Sequence, residues 1–171
     1  SATSALLDTD LALAESVIEH DSDIDDLAHA VEEGTFQLLA QQQPVAQDLR
    51  FLLASLHNAA TLARMGDLAT HIAKTTRMRY PMEVVPKELR GLVVDMGAVA
   101  SRMIANTAVA LTRRDTSAAR SLRDMDREMD RLYRELFIIV LSPAWEYGVQ
   151  AAVDITLLGR YYERFADHAV T

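Results

Sequence analysis

Apolar residues along this chain recur every three or four positions, the period of a helix, and almost nowhere alternate every two. Leu13, Val17, Ile24, Ala28, Val31, Thr35 and Leu38 fall on one stripe at 3.6 residues per turn, which predicts one long amphipathic helix over residues 10–42. Pro44 marks the break, and proline suits the first turn of a following helix. Leu49, Leu52, Leu53 and Leu56 define the core face of that helix, whose pattern runs to residue 79. Residues 80–86, with two prolines, form the clearest linker. A third helix is expected over residues 87–113 and a fourth over 116–141. Pro143 then starts a last one that is still helical at Thr171. A short helical stub at residues 2–8 precedes them all.

The pattern is duplicated. Asp21, Ile24, Asp25 and Leu27 correspond to Asp126, Met129, Asp130 and Leu132, each 105 positions later. Arg64 and Asp67 correspond to Arg164 and Asp167, 100 positions later. The order of acidic motif, proline break and Arg-x-x-Asp motif thus occurs twice, as in proteins built from repeated units. The fold class expected is all-α, two tandem pseudo-symmetric three-helix bundles over residues 1–82 and 83–171. The opening helix of the first bundle is largely missing, and the chain is expected to be trimmed there, since it lacks an initiator Met.

Composition agrees with long helices on short connections. Half of the 171 residues are apolar, enough for a sizeable core, while Gly (6) and Pro (4) are scarce. Lys and Arg number 17 against 25 Asp and Glu, a formal charge of −8 that repels nucleic acid and anionic lipid and attracts cations or basic protein surfaces. No cysteine is present, so a metal would be held by carboxylates and histidines. No run free of Asp, Glu, Lys and Arg, the apolar stretch 51–63 included, approaches the roughly 20 apolar residues that span a bilayer, which predicts a soluble chain.

Helical spacing directs the candidate chemistry to the acids. On the last helix Leu158, Tyr161, Tyr162 and Ala169 share a face with Phe165, whereas Glu163 and Asp167 point away. Carboxylates one turn apart repel by a few tenths of a kcal/mol on a bare helix, and a multivalent cation between them removes that repulsion. Asp21 with Asp25, and Asp126 with Asp130, sit one turn apart beside their own stripes, so each repeat can bring the acids of two helices to one groove. Oxygen-rich sites of this kind suit Fe, Mn or Mg, and Zn when His joins. The competing reading is a solvated acidic face, with Arg160 and Arg164 as ordinary surface partners and His71 and His168 as bystanders.

Two other metal sites are excluded. Asp21, Asp23, Asp25 and Glu32 match four positions of an EF-hand loop, but Asp26 stands where that loop turns on Gly, within a helical stripe. No Glu is followed by His three residues later, as a ferritin-like di-iron site requires. Nucleophilic and acid–base enzymes find no Gly-x-Ser-x-Gly elbow, no Gly-rich phosphate loop and no cysteine here. The apolar run 136–141 reads as buried helix.

The tandem arrangement resembles the PhoU family of phosphate-transport accessory proteins. The closing run over residues 156–170 looks like its actinobacterial branch. The resemblance is carried by Asp21-x-x-Ile-Asp-x-Leu, Pro44-x-Ala-x-Asp-Leu-Arg50, Arg64-Met-Gly-Asp-Leu-Ala, the Asp126/Asp130 motif and Glu163-Arg-Phe-Ala-Asp-His168. It implies multinuclear surface clusters of iron or zinc, beside the Mn or Mg that the oxygen donors alone would also suit. The ligands carried over are Asp21, Asp25 and Asp67 in the first repeat, and Asp126, Asp130, Glu163 and Asp167 in the second. Ala63 departs from the pattern, because the family has an acid there, and leaves the first site one carboxylate short. The implied role is negative regulation of phosphate uptake and starvation signalling in the cytoplasm. The implied partners are the sensor histidine kinase and the ATP-binding subunit of the phosphate transporter, with a second copy of the chain as a further candidate. The alternative from another class is a metal-dependent enzyme using the same carboxylates.

Overall fold

The computed structural model describes residues 1–113 and 115–170. They form seven α-helices: α1 Ala2–Asp8, α2 Leu11–Glu19, α3 Asp21–Gln42, α4 Gln47–Arg79, α5 Arg90–Arg113, α6 Thr116–Val140 and α7 Gly148–Val170. One 3-10 turn at Lys87–Leu89 leads into α5, and no strand occurs among the described residues. Side chains set several of the starts. Asp10 accepts from the Leu13 amide at 2.9 Å to cap α2, and Asp115 accepts from the Ser117 and Ala118 amides at 2.8 and 3.3 Å to cap α6.

The single helix expected over residues 10–42 is two helices that meet at His20. Side chains there compete for the carbonyls that would continue the ladder. The His20 ring Nδ1 lies 2.6 Å from the Ser16 carbonyl oxygen, and the Ser22 hydroxyl donates to the Glu19 carbonyl at 3.0 Å. Asp21 and Asp23 consequently stand in the first turn of α3, where the helix dipole favours negative charge. The start of α7 also differs from expectation. Pro143 belongs to a turn that runs to Gly148, closed by the Trp145 indole N–H donating to the Gly148 carbonyl at 2.9 Å. The expected helical state of Thr171 lies outside the described residues.

Two sets of helices pack side by side. α2 and α3 lie on α4, and α5 and α7 lie on α6; the sets meet where α4 packs on α7 and α1 on α5. Met65 and Ile72 from α4, Met96 and Met103 from α5, Met129 and Leu136 from α6, and Ile155 and Leu158 from α7 belong to one continuous core. Gly97 permits the close approach of α1 to α5, since a Cβ there would stand 2.6 Å from Thr3 Cγ2. Thr3 also hydrogen-bonds the buried Tyr162 hydroxyl, Oγ1 to OH at 2.8 Å, and burial pushes that phenol up to about 12.

Burial is uneven between the repeats. Met129, Leu132 and Leu136 are 0%, 1% and 0% exposed, yet their counterparts Ile24, Leu27 and Val31 are 37%, 69% and 41% exposed. The reason is coverage: α5 runs beside α6 for 24 residues, whereas α1 has 7 and packs on α2, α4 and α5. Leu38, Leu49 and Leu53, expected in the core, are exposed for the same reason. In the apolar run 136–141, Leu136 and Val140 are buried while Ile138 and Leu141 face outward. The segment Lys87–Arg113 is long and apolar enough by composition to cross a membrane, because its few charges are spread out. In this fold its Leu92, Val93, Met96, Val99 and Met103 are buried in the helical core.

Candidate functional site

The acids of the second repeat lie on two helices held in close contact. Gly159 of α7 sits against Tyr133 of α6, where a Cβ would meet the tyrosine ring at 3.0 Å. From that contact point, Asp126 and Asp130 run along α6 and Glu163 and Asp167 along α7. Burial raises the Asp126 carboxyl above the usual carboxylate range, and the charges of Asp130 and then Asp167 add to the effect. Burial likewise raises Glu163, with Asp167 and Asp130 adding and Arg160 opposing. Arg160 Nη1 donates to Glu163 Oε2 at 2.5 Å. Carboxylates from both helices therefore share one electrostatic environment, in which burial acts first, mutual repulsion adds to it and Arg160 partly offsets both at Glu163.

Among the described residues no group of three or more Asp, Glu or His side chains is drawn together closely enough to grip a metal ion as they stand. The α6–α7 acids fit a cation in charge and in donor type, all of them being oxygen donors. Binding requires the side chains to swing inward.

The first repeat is arranged differently. Asp21 lines a groove of about 350 Å³ with Ser16, Val17, His20 and Ile24 on one side and Gly66, Ala69 and Thr70 of α4 on the other. Asp25, one turn along α3, is exposed. Asp67 lines a separate groove of about 360 Å³ between α4 and α7, together with Arg64, Leu68, His71, Arg160, Tyr161, Arg164 and His168. Its carboxylate accepts from Arg64 Nη1 at 3.1 Å. Ala63, one turn before Asp67, supplies no second acid.

The α4–α7 groove escaped prediction. The duplicated Arg-x-x-Asp motif signals it, since Arg64 and Arg164 are repeat equivalents, but the motif carries no information that the two helices pack together. His71, read as a surface residue, is exposed and stacks on Tyr161 with ring centres 5.2 Å apart. A further cavity of about 320 Å³ lies against the α6–α7 turn, lined by Leu89, Ile138, Trp145 and Tyr147. There the Tyr147 hydroxyl donates to Glu88, which pushes the phenol up to about 12 and the carboxylate down.

Comparison with known proteins places this geometry in a family. The model of the PhoU domain matches residues 1–76 and 93–171. Phosphate-specific transport system accessory protein PhoU homolog 1 of Mycobacterium leprae is 46% identical over 169 residues, which are 99% of this chain and 76% of that protein. PhoU homolog 2 of Mycobacterium tuberculosis is 45% identical, over 99% of this chain and 79% of its own length. Among solved structures, PhoU from Pseudomonas aeruginosa superposes with a TM-score of 0.85 at 28% identity, covering 99% of this chain and 81% of that one. The phosphate transport system regulatory protein PhoU from Streptococcus pneumoniae gives 0.86 at 27% identity, covering 99% and 79%.

Proposed function

The chain belongs to the PhoU family, and from that premise we propose that it regulates phosphate uptake as a helical adaptor whose α6–α7 acids hold a multivalent cation. Like the mycobacterial relatives, it serves as an accessory protein of phosphate-specific transport. The cation reading rests on one observation: Asp126 and Glu163 are each raised by burial and then by neighbouring carboxylates, one of which stands on the facing helix. A cation seated among Asp126, Asp130, Glu163 and Asp167 turns that repulsion into attraction, with iron or zinc first and Mn or Mg next among the oxygen-seeking ions. The first repeat binds metal weakly or not at all, because Asp67 is met by Arg64 and Ala63 contributes no donor.

The two units, residues 1–82 and 83–171, present separate faces to separate partners. We assign these as the ATP-binding subunit of the phosphate transporter and the sensor histidine kinase, on the cytoplasmic side of the membrane. The test is direct binding of the purified ATP-binding subunit and of the kinase's soluble region to this protein, with and without chelator. At least one partner is expected to bind, and Glu163→Ala with Asp167→Ala is expected to weaken that binding about tenfold. Lack of binding by both partners in both conditions overturns the adaptor role.

A further inference from the structure

On a chain of formal charge −8, the α4–α7 groove runs against the grain. Three guanidiniums, Arg64 from one helix and Arg160 and Arg164 from the other, line a space of about 360 Å³. The opposing charges are Asp67 inside the groove, bonded to Arg64, and Glu163 beside it, bonded to Arg160. Arg164 is exposed and makes no ion pair with a described carboxylate, Asp167 one turn later lies outside the lining, and within the lining three guanidiniums stand against the single carboxylate of Asp67. Holding like charges together on two packed helices costs energy that an anion between them returns.

The Arg fork matches oxyanions and can bond two oxygens at once. Donors from two helices surround a volume and so suit a tetrahedral anion with several oxygens better than a flat carboxylate. Tyr161, His71 and His168 add polar hydrogen-bonding groups to the same lining. Asp67 adds an acceptor. Its Oδ2 is taken by Arg64, and its other oxygen is available to a ligand that carries its own proton. Phosphate at neutral pH has a P–OH group and sulfate does not, so an acceptor in an otherwise cationic groove separates the two anions.

We propose that the groove between α4 and α7 binds inorganic phosphate, with Arg64, Arg160 and Arg164 holding its oxygens and Asp67 accepting its P–OH. None of these groups lies on α6; Arg160, bonded to Glu163, stands at the border between this groove and the four-acid site. The groove gives Asp67 a role that metal binding leaves unfilled in the first repeat.

The experiment is titration of chelator-treated protein with inorganic phosphate by calorimetry at fixed ionic strength, with sulfate as comparator. Chelation removes any signal from phosphate bound to metal. Saturable binding of one phosphate is expected, with sulfate at least about tenfold weaker. Arg64→Ala with Arg164→Ala is expected to weaken phosphate at least about tenfold at unchanged helicity; both side chains are exposed, so the fold is retained. Asp67→Asn should narrow the preference over sulfate. Glu163→Ala with Asp167→Ala should retain phosphate binding, which separates this site from the cation site. Absence of saturable binding, equal binding of sulfate, or full binding by the double arginine variant each overturns the assignment.

Discussion

Asp154 is 6% exposed and its charge is met in two places, by Arg79 Nε at 2.7 Å and Nη2 at 2.9 Å. This fork ties the end of α4 to the start of α7. Removal of one partner strands a buried charge, so Arg79→Ala or Asp154→Ala is expected to cost about 3 kcal/mol in urea unfolding. Replacing both by apolar residues of similar size should cost far less. Asp126 and Glu163 behave in the opposite sense. Both carboxyls are raised in the fold, so between the ordinary value and the raised one the native state holds more protons than the unfolded chain. The stability they contribute is present below that window and is lost as pH rises through it. Asp126→Asn should therefore raise the thermal midpoint of chelated protein at pH 7, and the gain should fade near about pH 4. Differential scanning calorimetry at the two pH values checks this. At this scale the acids were legible because i and i+4 spacing is visible in one dimension. The Arg79–Asp154 bond joins residues 75 positions apart, and nothing local announces it.

The helices themselves were legible, since a period of 3.6 and scarce Gly and Pro leave few alternatives. Their breaks and coverage were not. The stripe from Leu13 to Leu38 continues in phase through His20, and the interruption there comes from side-chain bonds to the Ser16 and Glu19 carbonyls. Periodicity identifies the apolar side of a helix without saying whether another helix covers it. α3 and α6 carry equivalent stripes, and only that of α6 is sealed. Equivalent substitutions should accordingly diverge. Leu132→Ala and Leu136→Ala should each cost about 2–5 kcal/mol by cavity formation. Leu27→Ala and Val31→Ala should each cost under about 1 kcal/mol, measured by the same urea unfolding.

For the whole molecule, the all-α class and the duplicated bundle were readable from two offset motifs, and the matches to PhoU structures bear out that class. How the halves sit against each other was beyond reach, because it depends on α4 meeting α7, and with it went the arginine groove. The same limit applies to the acids. Sequence spacing pairs them within each helix, and the facing of α6 on α7 brings the pairs into one field. That field is what the proposed cation would neutralise. The most direct measurement is metal content after chelator-stripped protein is equilibrated with zinc and dialysed. Native protein and the Asp21→Ala, Asp25→Ala variant should retain zinc, and the Glu163→Ala, Asp167→Ala variant should lose it while keeping its helicity. Zinc-free native protein, or equal zinc in both variants, contradicts the account.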